Sequence, residues 1–286
     1  MTDDLLIARN VEVSFGGSGG LFDLGRRPVK VLHGITIRIG RGETVGIVGE
    51  SGSGKTTLGR ALLRLIDLDS GAILFDGLDI TKLAEPAMRP IRRRMQLIFQ
   101  DPMASLNPRR TIRRIVLEPM LFHRVAANEA DAEVRARKIF ARFSLPPACL
   151  ERYPHELSGG QRQRVGIARV ALLAPDFVLA DEIVSGLDVS TQAQVLNLLK
   201  GLSRELGLSM AFISHDLSVI RAVCDRVYVL RSGRIVEEGL CDHVFAAPKD
   251  AYTRALLDAI PLPRIDPDWL GPTTHAESIR ELDGTK

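Results

Sequence analysis

A glycine-rich loop between an apolar segment and a helical pattern constrains the fold of this chain more than any other feature. The loop reads Gly49-Glu50-Ser51-Gly52-Ser53-Gly54-Lys55-Thr56; it follows the apolar run Thr44–Val48 and opens the periodic segment Lys55–Ile66. Glycines let successive backbone N–H groups turn inward around a phosphate, and the following helix points its positive N-terminal end at the same charge. The sequence therefore predicts a strand, a phosphate-binding loop and a helix in succession.

Side chains at the end of this loop are predicted to contact a bound nucleotide. Lys55 should reach the β- and γ-phosphates, and Thr56 should give its hydroxyl to Mg²⁺. Thr57 should add a phosphate contact. An ordinary glycine turn is the alternative, which the position of the loop between a strand and a helix disfavours.

Two acids follow another apolar strand. Phe177–Ala180 leads into Asp181 and Glu182, and the carboxyl ends of parallel strands are where such folds place nucleotide sites. Asp181 is predicted to support Mg²⁺, and Glu182 to orient or deprotonate the attacking water, a role worth about 10²- to 10⁴-fold in rate. An acidic pair can also be a helix cap or a solvated turn, but the phosphate loop in the same chain favours the catalytic interpretation.

The remaining patterns predict an α/β fold with three kinds of region: β-rich segments, a helical region and the strands of a parallel sheet. Two β-rich segments precede the loop, and two amphipathic helices form a region with little strand character. The β-rich segments are Leu5–Phe15 and Val31–Ile39, and the helices are Thr111–Phe122 and Asn128–Phe143. Further strands of a buried, largely parallel sheet are predicted at Ala72–Phe75, Met95–Phe99, Phe177–Ala180, Met210–Ile213 and Val227–Leu230.

These patterns divide the chain into four predicted parts. Residues 1–101 hold a β-rich subdomain and the first part of the core, and residues 102–165 an inserted helical subdomain. Residues 166–240 complete the core. Residues 241–286 form a C-terminal tail that is helical around 251–260, beyond which prolines predict little regular structure.

The charge balance argues against a general binder of polyanions. Lys and Arg number 38 and Asp and Glu number 35, for a formal net charge of +3, so nucleic acid is not an expected partner. The basic runs Arg92-Arg93-Arg94 and Arg113-Arg114 are expected to be solvated helix faces, with contact to phosphates or lipid headgroups as the alternative.

Cysteine spacing and hydropathy point to an intracellular chain. Cys149, Cys224 and Cys241 have no metal-type spacing and are predicted to be reduced thiols. No stretch approaches the roughly 18 apolar residues that span a bilayer, and the first residues lack the order of a signal peptide. Membrane contact is therefore expected through a partner.

Six features follow one another along the chain: the phosphate loop, Gln100 after an apolar strand, Leu157-Ser158-Gly159-Gly160-Gln161, Asp181-Glu182, Ser185-Gly186-Leu187-Asp188 and Ile213-Ser214-His215-Asp216. In this order they resemble the ATP-binding subunits of ABC transporters, and the resemblance runs from about Leu5 to about Pro263. It implies a P-loop NTPase (RecA-like) core, ATP and Mg²⁺ as cofactors, and hydrolysis of ATP held between two such subunits.

The resemblance gives roles to residues outside the loop. Gln100 would contact Mg²⁺ or the attacking water, and His215 would bind the γ-phosphate and align the water with Glu182. The segment Ser158-Gly159-Gly160-Gln161 would present a helix N-terminus to the ATP of the opposite subunit. A simple helix cap is the alternative for Ser158.

Two further assignments concern the edges of the site. Asp188 would shape the contact between subunits, and Phe15 would stack on adenine or else be a core phenylalanine. A serine hydrolase built from Ser214-His215-Asp216 is excluded, because adjacent residues cannot converge as nucleophile, base and orienting group.

Two patches are similar to the subgroup that serves dipeptide, oligopeptide and nickel importers of bacteria, namely Phe99–Pro108 and Tyr252–Pro261. This similarity implies import of peptides, with nickel or another small solute as the alternative. The implied partners are a second ATPase subunit, identical or related, inner-membrane permease subunits, and indirectly an extracytoplasmic solute-binding protein. The chain would lie peripherally on the cytoplasmic side of the inner membrane.

Some positions depart from the family pattern. Ile183-Val184 stand where Pro-Thr is usual and Gly186 where Ala is common, so altered packing beside the site is expected and not loss of hydrolysis. No cysteine follows Cys241, and no iron–sulfur cluster is predicted. The remaining alternatives are an ABC-type ATPase that serves nucleic acid and a regulatory subunit that binds ATP without hydrolysing it; Glu182, Gln100 and His215 oppose the latter.

Overall fold

The strands of the computed structural model form two sheets. The model describes residues 3–16, 28–99, 101 and 105–259, and inside this range it leaves out the side chains of residues 189 and 190. The strands are β1 (Asp4–Phe15), β2 (Val29–Gly40), β3 (Thr44–Val48), β4 (Ser70–Phe75), β5 (Leu78–Asp79), β6 (Met95–Ile98), β7 (Phe177–Asp181), β8 (Ser209–Ile213), β9 (Arg226–Arg231) and β10 (Arg234–Leu240).

The first sheet is antiparallel, in the order β2-β1-β4-β5. It contains β4, so the prediction that Ala72–Phe75 belongs to the parallel sheet is wrong. The physical reason lies in Asp76 and Gly77, which follow β4 with positive φ values of 52° and 76°. An Asp-Gly pair in this conformation closes a tight hairpin, which makes the next strand an antiparallel neighbour.

The second sheet has the order β10-β9-β3-β8-β7-β6, and its strands from β9 to β6 are parallel. Residues of β3 and β8 are buried throughout, as expected of strands covered on both faces. Alternate side chains join different cores: Phe212 packs with the helical side and Ile213 with the antiparallel sheet. β10 pairs antiparallel to β9 and was not predicted.

Within the described residues, nine helices surround these sheets, together with short 3₁₀ turns at Pro147–Glu151 and Pro154–Glu156. They are α1 (Lys55–Leu62), α2 (Glu85–Arg94), α3 (Ile112–Phe122), α4 (Glu129–Arg142), α5 (Gly159–Ala171), α6 (Val189–Leu206), α7 (Leu217–Val223), α8 (Cys241–Ala246) and α9 (Ala251–Asp258).

Helix α1 is shorter than the predicted Lys55–Ile66. Arg64 has a left-handed φ of 54°, and Arg92 donates to the carbonyl oxygens of Leu63 and Arg64 at 2.5 and 3.0 Å. A side chain from α2 therefore satisfies carbonyl groups that a longer helix would have bonded internally. This long-range contact could not be read from the local periodicity.

The helical region packs around its own apolar residues. Thr111 and Asn128 cap α3 and α4 with their side chains, so both predicted helices begin one residue later than expected. Met120 and Phe140 are fully buried in the core that also covers one face of the parallel sheet. Helix α5 continues past residue 165 to Ala171, and the boundary between predicted parts at that residue stays a prediction.

Both basic runs lie at helix ends and form ion pairs. Arg94 pairs with Asp76 and Asp176, and Arg113 pairs with Glu129 and Glu133. In the part of the chain that the structure describes, no helix combines the length and apolar character needed to cross a bilayer.

Candidate nucleotide-binding and catalytic site

The phosphate loop, Glu182 and His215 meet at the carboxyl edge of the parallel sheet. Strands β3, β8 and β7 are adjacent, with Ile47 paired to Ile213 and Ile213 paired to Asp181. The phosphate loop follows β3, the His215 segment follows β8, and Glu182 follows β7. Gln100 comes after the next strand, β6, but lies outside the described residues.

The phosphate loop depends on glycine conformations. Gly49, Gly52 and Gly54 have positive φ values of 150°, 78° and 104°, which side chains rarely adopt. A Cβ atom at Gly49 would overlap the carbonyl oxygen of Leu230. Glycine is therefore required at Gly49 on two grounds, backbone conformation and close approach to a neighbouring strand.

Lys55 is folded into the loop that it follows. Its side chain is buried, with 6% of the residue exposed, and its Nζ donates to the carbonyl oxygens of Gly49 and Glu50 at 2.8 Å each. Burial lowers the pKa of Lys55, while the nearby Glu182 and Asp181 carboxylates act in the opposite direction. An ammonium group in this position would be available to phosphate oxygens placed inside the loop.

Two buried side-chain oxygens lie near the start of α1. Asp181 Oδ1 and Ser53 Oγ are buried and have no hydrogen-bond partner among the described residues, whereas Thr56 hydrogen-bonds to the Asp181 carboxylate. Burial raises the pKa of Asp181, and the Thr56 hydrogen bond opposes this shift. A carboxylate and a threonine hydroxyl are oxygen ligands of the kind that Mg²⁺ takes beside a phosphate, so this donor set fits Mg²⁺.

Glu182 and His215 come together above the two central strands. Glu182 Oε1 lies 3.5 Å from His215 Nδ1, and the Glu182 amide donates to the carbonyl oxygen of Ile213 at 2.9 Å. Glu182 has a left-handed φ of 48°, which is uncommon for a residue with a side chain. Both side chains line a cavity of about 150 Å³ that also includes Gln192 and Asp216.

The residues after Glu182 are part of the core. Ile183 and Val184 are 1% and 5% exposed, and the Ile183 carbonyl oxygen accepts a hydrogen bond from Gln163 Nε2 at 2.8 Å. This buried bond joins the strand end that carries Glu182 to the middle of α5. The apolar pair thus packs beside the site and supplies no polar group to it.

The tip of α5 is a capped helix N-terminus. Ser158 Oγ accepts from the Gln161 amide at 3.3 Å, and Gln161 Oε1 accepts from the Ser158 amide at 3.0 Å, which is a capping box. The structure therefore confirms that Ser158 caps a helix. The glycines that follow, Gly159 and Gly160, begin the helix and leave its tip without bulky side chains.

The Asp188 segment lies next to this tip. Asp188 caps α6 by accepting from the amide and the hydroxyl of Thr191, at 2.9 and 2.7 Å. A Cβ atom at Gly160 would come within 3.3 Å of the Thr191 methyl group. Two helix N-termini that resemble subunit-contact motifs are consequently neighbours.

Phe15 is the least constrained of the predicted site residues. It ends β1 opposite Val29 and is 47% exposed, so it is not a core phenylalanine. Stacking on adenine stays a prediction, and the glycine-rich segment that follows lies mostly outside the described residues.

Sequence reasoning missed one residue that contacts the phosphate loop. The Glu50 amide donates to the phenolic oxygen of Tyr252, on α9, at 2.9 Å. The only sequence signal was the similarity of the tail stretch to the importer subgroup, and that similarity carried no structural role for Tyr252.

Comparisons with known proteins agree on the family. A family model described as ABC transporter matches residues 32–185. A Brucella ovis chain provisionally named a peptide import ATP-binding protein is 55% identical over 240 residues, which cover 84% of this chain and 75% of that protein. The Oligopeptide transport ATP-binding protein OppF of Salmonella typhimurium is 46% identical over 242 residues, covering 85% and 72%.

A solved structure has the same fold. The ATP-binding cassette MJ0796, a dimer in a post-hydrolysis state with bound ADP and Pi, superposes with a TM-score of 0.73 at 29% identity, covering 82% of this chain and 98% of that one. Cassettes of this kind dimerise and work with membrane permease subunits. The chain therefore belongs to the ABC transporter family, in which it is a nucleotide-binding, ATP-hydrolysing subunit.

Proposed function

We propose that this ATPase subunit energises the import of peptides across the bacterial inner membrane. The observation that carries the catalytic part is the convergence of three loops at one sheet edge, where Glu182 Oε1 lies 3.5 Å from His215 Nδ1 beside the phosphate loop. The peptide part rests on the names of the Brucella and Salmonella relatives and on the tail stretch Tyr252–Pro261.

The loop Gly49–Thr56 binds the phosphates of ATP through its backbone amides, with Lys55 and Thr57 adding side-chain contacts. Thr56, Asp181 and Gln100 hold Mg²⁺, which offsets the charge of the phosphates when bound. The buried Asp181 Oδ1, which has no hydrogen-bond partner in the part of the chain that the structure describes, supports this assignment. Phe15 stacks on adenine.

Glu182 is the general base or orienting group for the attacking water. A carboxylate serves this role when it lies within reach of the water and stays ionised at neutral pH. His215 contacts the γ-phosphate and, at 3.5 Å from Glu182, holds the base in line with it. Gln100 contacts the water or the metal from the entry to the helical region.

ATP is held between two subunits. The capped tip of α5, with Ser158, Gly159, Gly160 and Gln161, binds the γ-phosphate of ATP on the phosphate loop of the second subunit. Asp188, whose segment adjoins that tip, shapes the contact between them. The second subunit is a copy of this chain or a related ATPase.

The helical region meets permease subunits of the inner membrane, so that the ATPase lies peripherally on the cytoplasmic side. A solute-binding protein outside the cytoplasm delivers the peptide and contacts the ATPase only indirectly. Nucleic acid has no place in this assembly. Nickel or another small solute is the alternative cargo.

The hydrolytic assignment is tested with Glu182→Gln, measuring ATP affinity and turnover separately. We expect affinity within about twofold of wild type and turnover lower by at least about 10²-fold, because the amide cannot accept a proton from water. Glu205→Gln, which alters an exposed carboxylate paired with Arg142, is the matched control and should behave as wild type. Unchanged turnover in Glu182→Gln would exclude this residue as the base.

The cargo is tested in a strain that lacks this gene, by following uptake of a radiolabelled tripeptide and of nickel. Peptide uptake should fall in this strain. The wild-type chain should restore it, and the Glu182→Gln variant should not. If the strain that lacks the gene takes up peptide normally but no longer takes up nickel, the cargo is nickel and not peptide.

A further inference from the structure

The tail helix α9 reaches back to the phosphate loop through a single hydroxyl group. The Glu50 amide donates to the phenolic oxygen of Tyr252 at 2.9 Å across 202 positions of sequence. Tyr252 is 7% exposed, so water competes poorly for this hydrogen bond. The contact joins a segment outside the ATPase motifs described above to the backbone of the phosphate loop.

Tyr252 is fixed by its own surroundings. Asp250 caps α9 by accepting from the Tyr252 amide at 2.8 Å, and the Arg231 guanidinium lies 4.9 Å from the centre of the tyrosine ring. Glu237, on β10, accepts from the amides of Lys249 and Asp250 at 2.8 and 3.1 Å. The start of α9 is thus anchored to the edge of the parallel sheet, and the hydroxyl is presented in a defined place.

Glu50 is also held on its carbonyl side, by the lysine of the loop. Lys55 Nζ donates to the Glu50 carbonyl oxygen at 2.8 Å, while Tyr252 accepts from the Glu50 amide. The two hydrogen bonds restrain the backbone on both sides of the Glu50 Cα atom. Because nucleotide affinity depends on amides that already point at the phosphates, restraint of this segment reduces the entropy lost on binding.

We propose that Tyr252 is a positioning residue for nucleotide binding, which holds the Glu50 segment of the phosphate loop in its binding conformation. This inference rests on the proposed phosphate-binding role of residues 49–56. Tyr252 does not touch the nucleotide; it acts through the Glu50 amide. A purely structural role, in which the phenol only anchors the tail, is the competing explanation.

The three tyrosines of the chain provide matched variants. Tyr252→Phe keeps the ring under Arg231 and removes only the acceptor. Tyr228→Phe also removes a buried hydroxyl, which accepts from the Arg38 amide at 3.0 Å and donates to the Arg38 carbonyl oxygen at 3.2 Å, so that it is bonded to β2. Tyr153→Phe alters an exposed hydroxyl.

The experiment measures the equilibrium affinity of each variant for a fluorescent ATP analogue, the KM and kcat for ATP, and thermal unfolding without nucleotide. For Tyr252→Phe we expect the Kd and KM to rise about three- to tenfold, the effect of one lost hydrogen bond, with kcat within about twofold of wild type. Tyr228→Phe should lower the unfolding temperature and leave the Kd unchanged. Asp250→Ala, which removes the cap of α9 and leaves the Tyr252 hydroxyl in place but less well fixed, should also raise the Kd.

Each result has a defined meaning. An unchanged Kd in Tyr252→Phe, or an equal rise in Tyr228→Phe, would overturn the positioning role while leaving the phosphate loop as the nucleotide site. Failure of the wild-type chain to bind the analogue would overturn the proposed site and this inference together.

Discussion

His215 Nδ1 lies 3.5 Å from Glu182 Oε1, and the Glu182 amide is bonded to the carbonyl oxygen of Ile213, two residues before that histidine. Glu182, the proposed base, is therefore held through its backbone by the end of β8 and through its side chain by the segment that follows this strand. Its left-handed φ of 48° costs conformational energy that the surrounding contacts must offset. Such strain is tolerated where it aims a functional side chain.

Removing the imidazole should misplace the base. In His215→Ala we expect turnover lower by about a hundredfold, the scale for misaligned reacting groups, and ATP affinity changed far less. The control is His243→Ala, which alters an exposed histidine on α8. Steady-state ATPase assays on both variants measure the turnover. A similar loss of turnover in the two variants would contradict the role of His215 in aligning Glu182.

The buried carboxylate of Asp181 should lower the free energy of unfolding of the nucleotide-free protein at neutral pH. Because burial raises its pKa above the ordinary 3.8, the folded state holds this proton more tightly than the unfolded state does. The free energy of unfolding therefore falls as pH rises from below 3.8 through the raised value. At pH 7 the Asp181→Asn variant should unfold at a higher urea concentration than wild type. Its free energy of unfolding should be larger by about 1 kcal/mol.

That difference should shrink as the pH is lowered towards 3.8, because the raised pKa of Asp181 makes its carboxylate take up a proton in the folded state before it does so in the unfolded state. Urea unfolding at several pH values measures it. Added ATP and Mg²⁺ should reverse the order at pH 7, since only the carboxylate suits the metal. A variant less stable than wild type at pH 7 without nucleotide would contradict the burial penalty.

Gly49→Ala should disrupt nucleotide binding. The new Cβ would overlap the Leu230 carbonyl oxygen and would occupy a backbone conformation with φ of 150°, a combined strain of about 1–3 kcal/mol or more. We expect ATP affinity to fall at least about tenfold. Gly201→Ala, at an open position inside α6, should instead stabilise the protein by about 0.5–1 kcal/mol and leave affinity unchanged.

The thiols should be inert in the folded protein. Cys149, Cys224 and Cys241 are all buried, and burial, with help from Asp225, raises the pKa of Cys241 to about 12. Since the thiolate is the reactive form, a disulfide reagent at pH 8 should label none of them within minutes and all 3 after unfolding. Rapid labelling of the native chain would show that a thiol is more accessible than the fold indicates.

Local patterns predicted much of the candidate site, because the loop Gly49–Thr56 and the acids after β7 are each runs of consecutive residues that follow an apolar strand. The place of β4 was missed, since it depends on the Asp76-Gly77 turn and on pairing with β1, which is distant in the sequence. The Tyr252–Glu50 contact could not be predicted, because it joins residues that only the tertiary fold brings together. The roles of all the candidate site residues, including Gln100 and Phe15, stay predictions.

The most direct measurement is a structure of the Glu182→Gln chain with ATP and Mg²⁺, assembled with its partner ATPase, whether a copy of this chain or a related subunit. We expect Lys55 of one protomer and the helix tip that contains Ser158, or its equivalent, in the other to lie about 3 Å from the same γ-phosphate. An assembly in which the Ser158 tip faces away from the nucleotide would contradict the sharing of ATP between subunits.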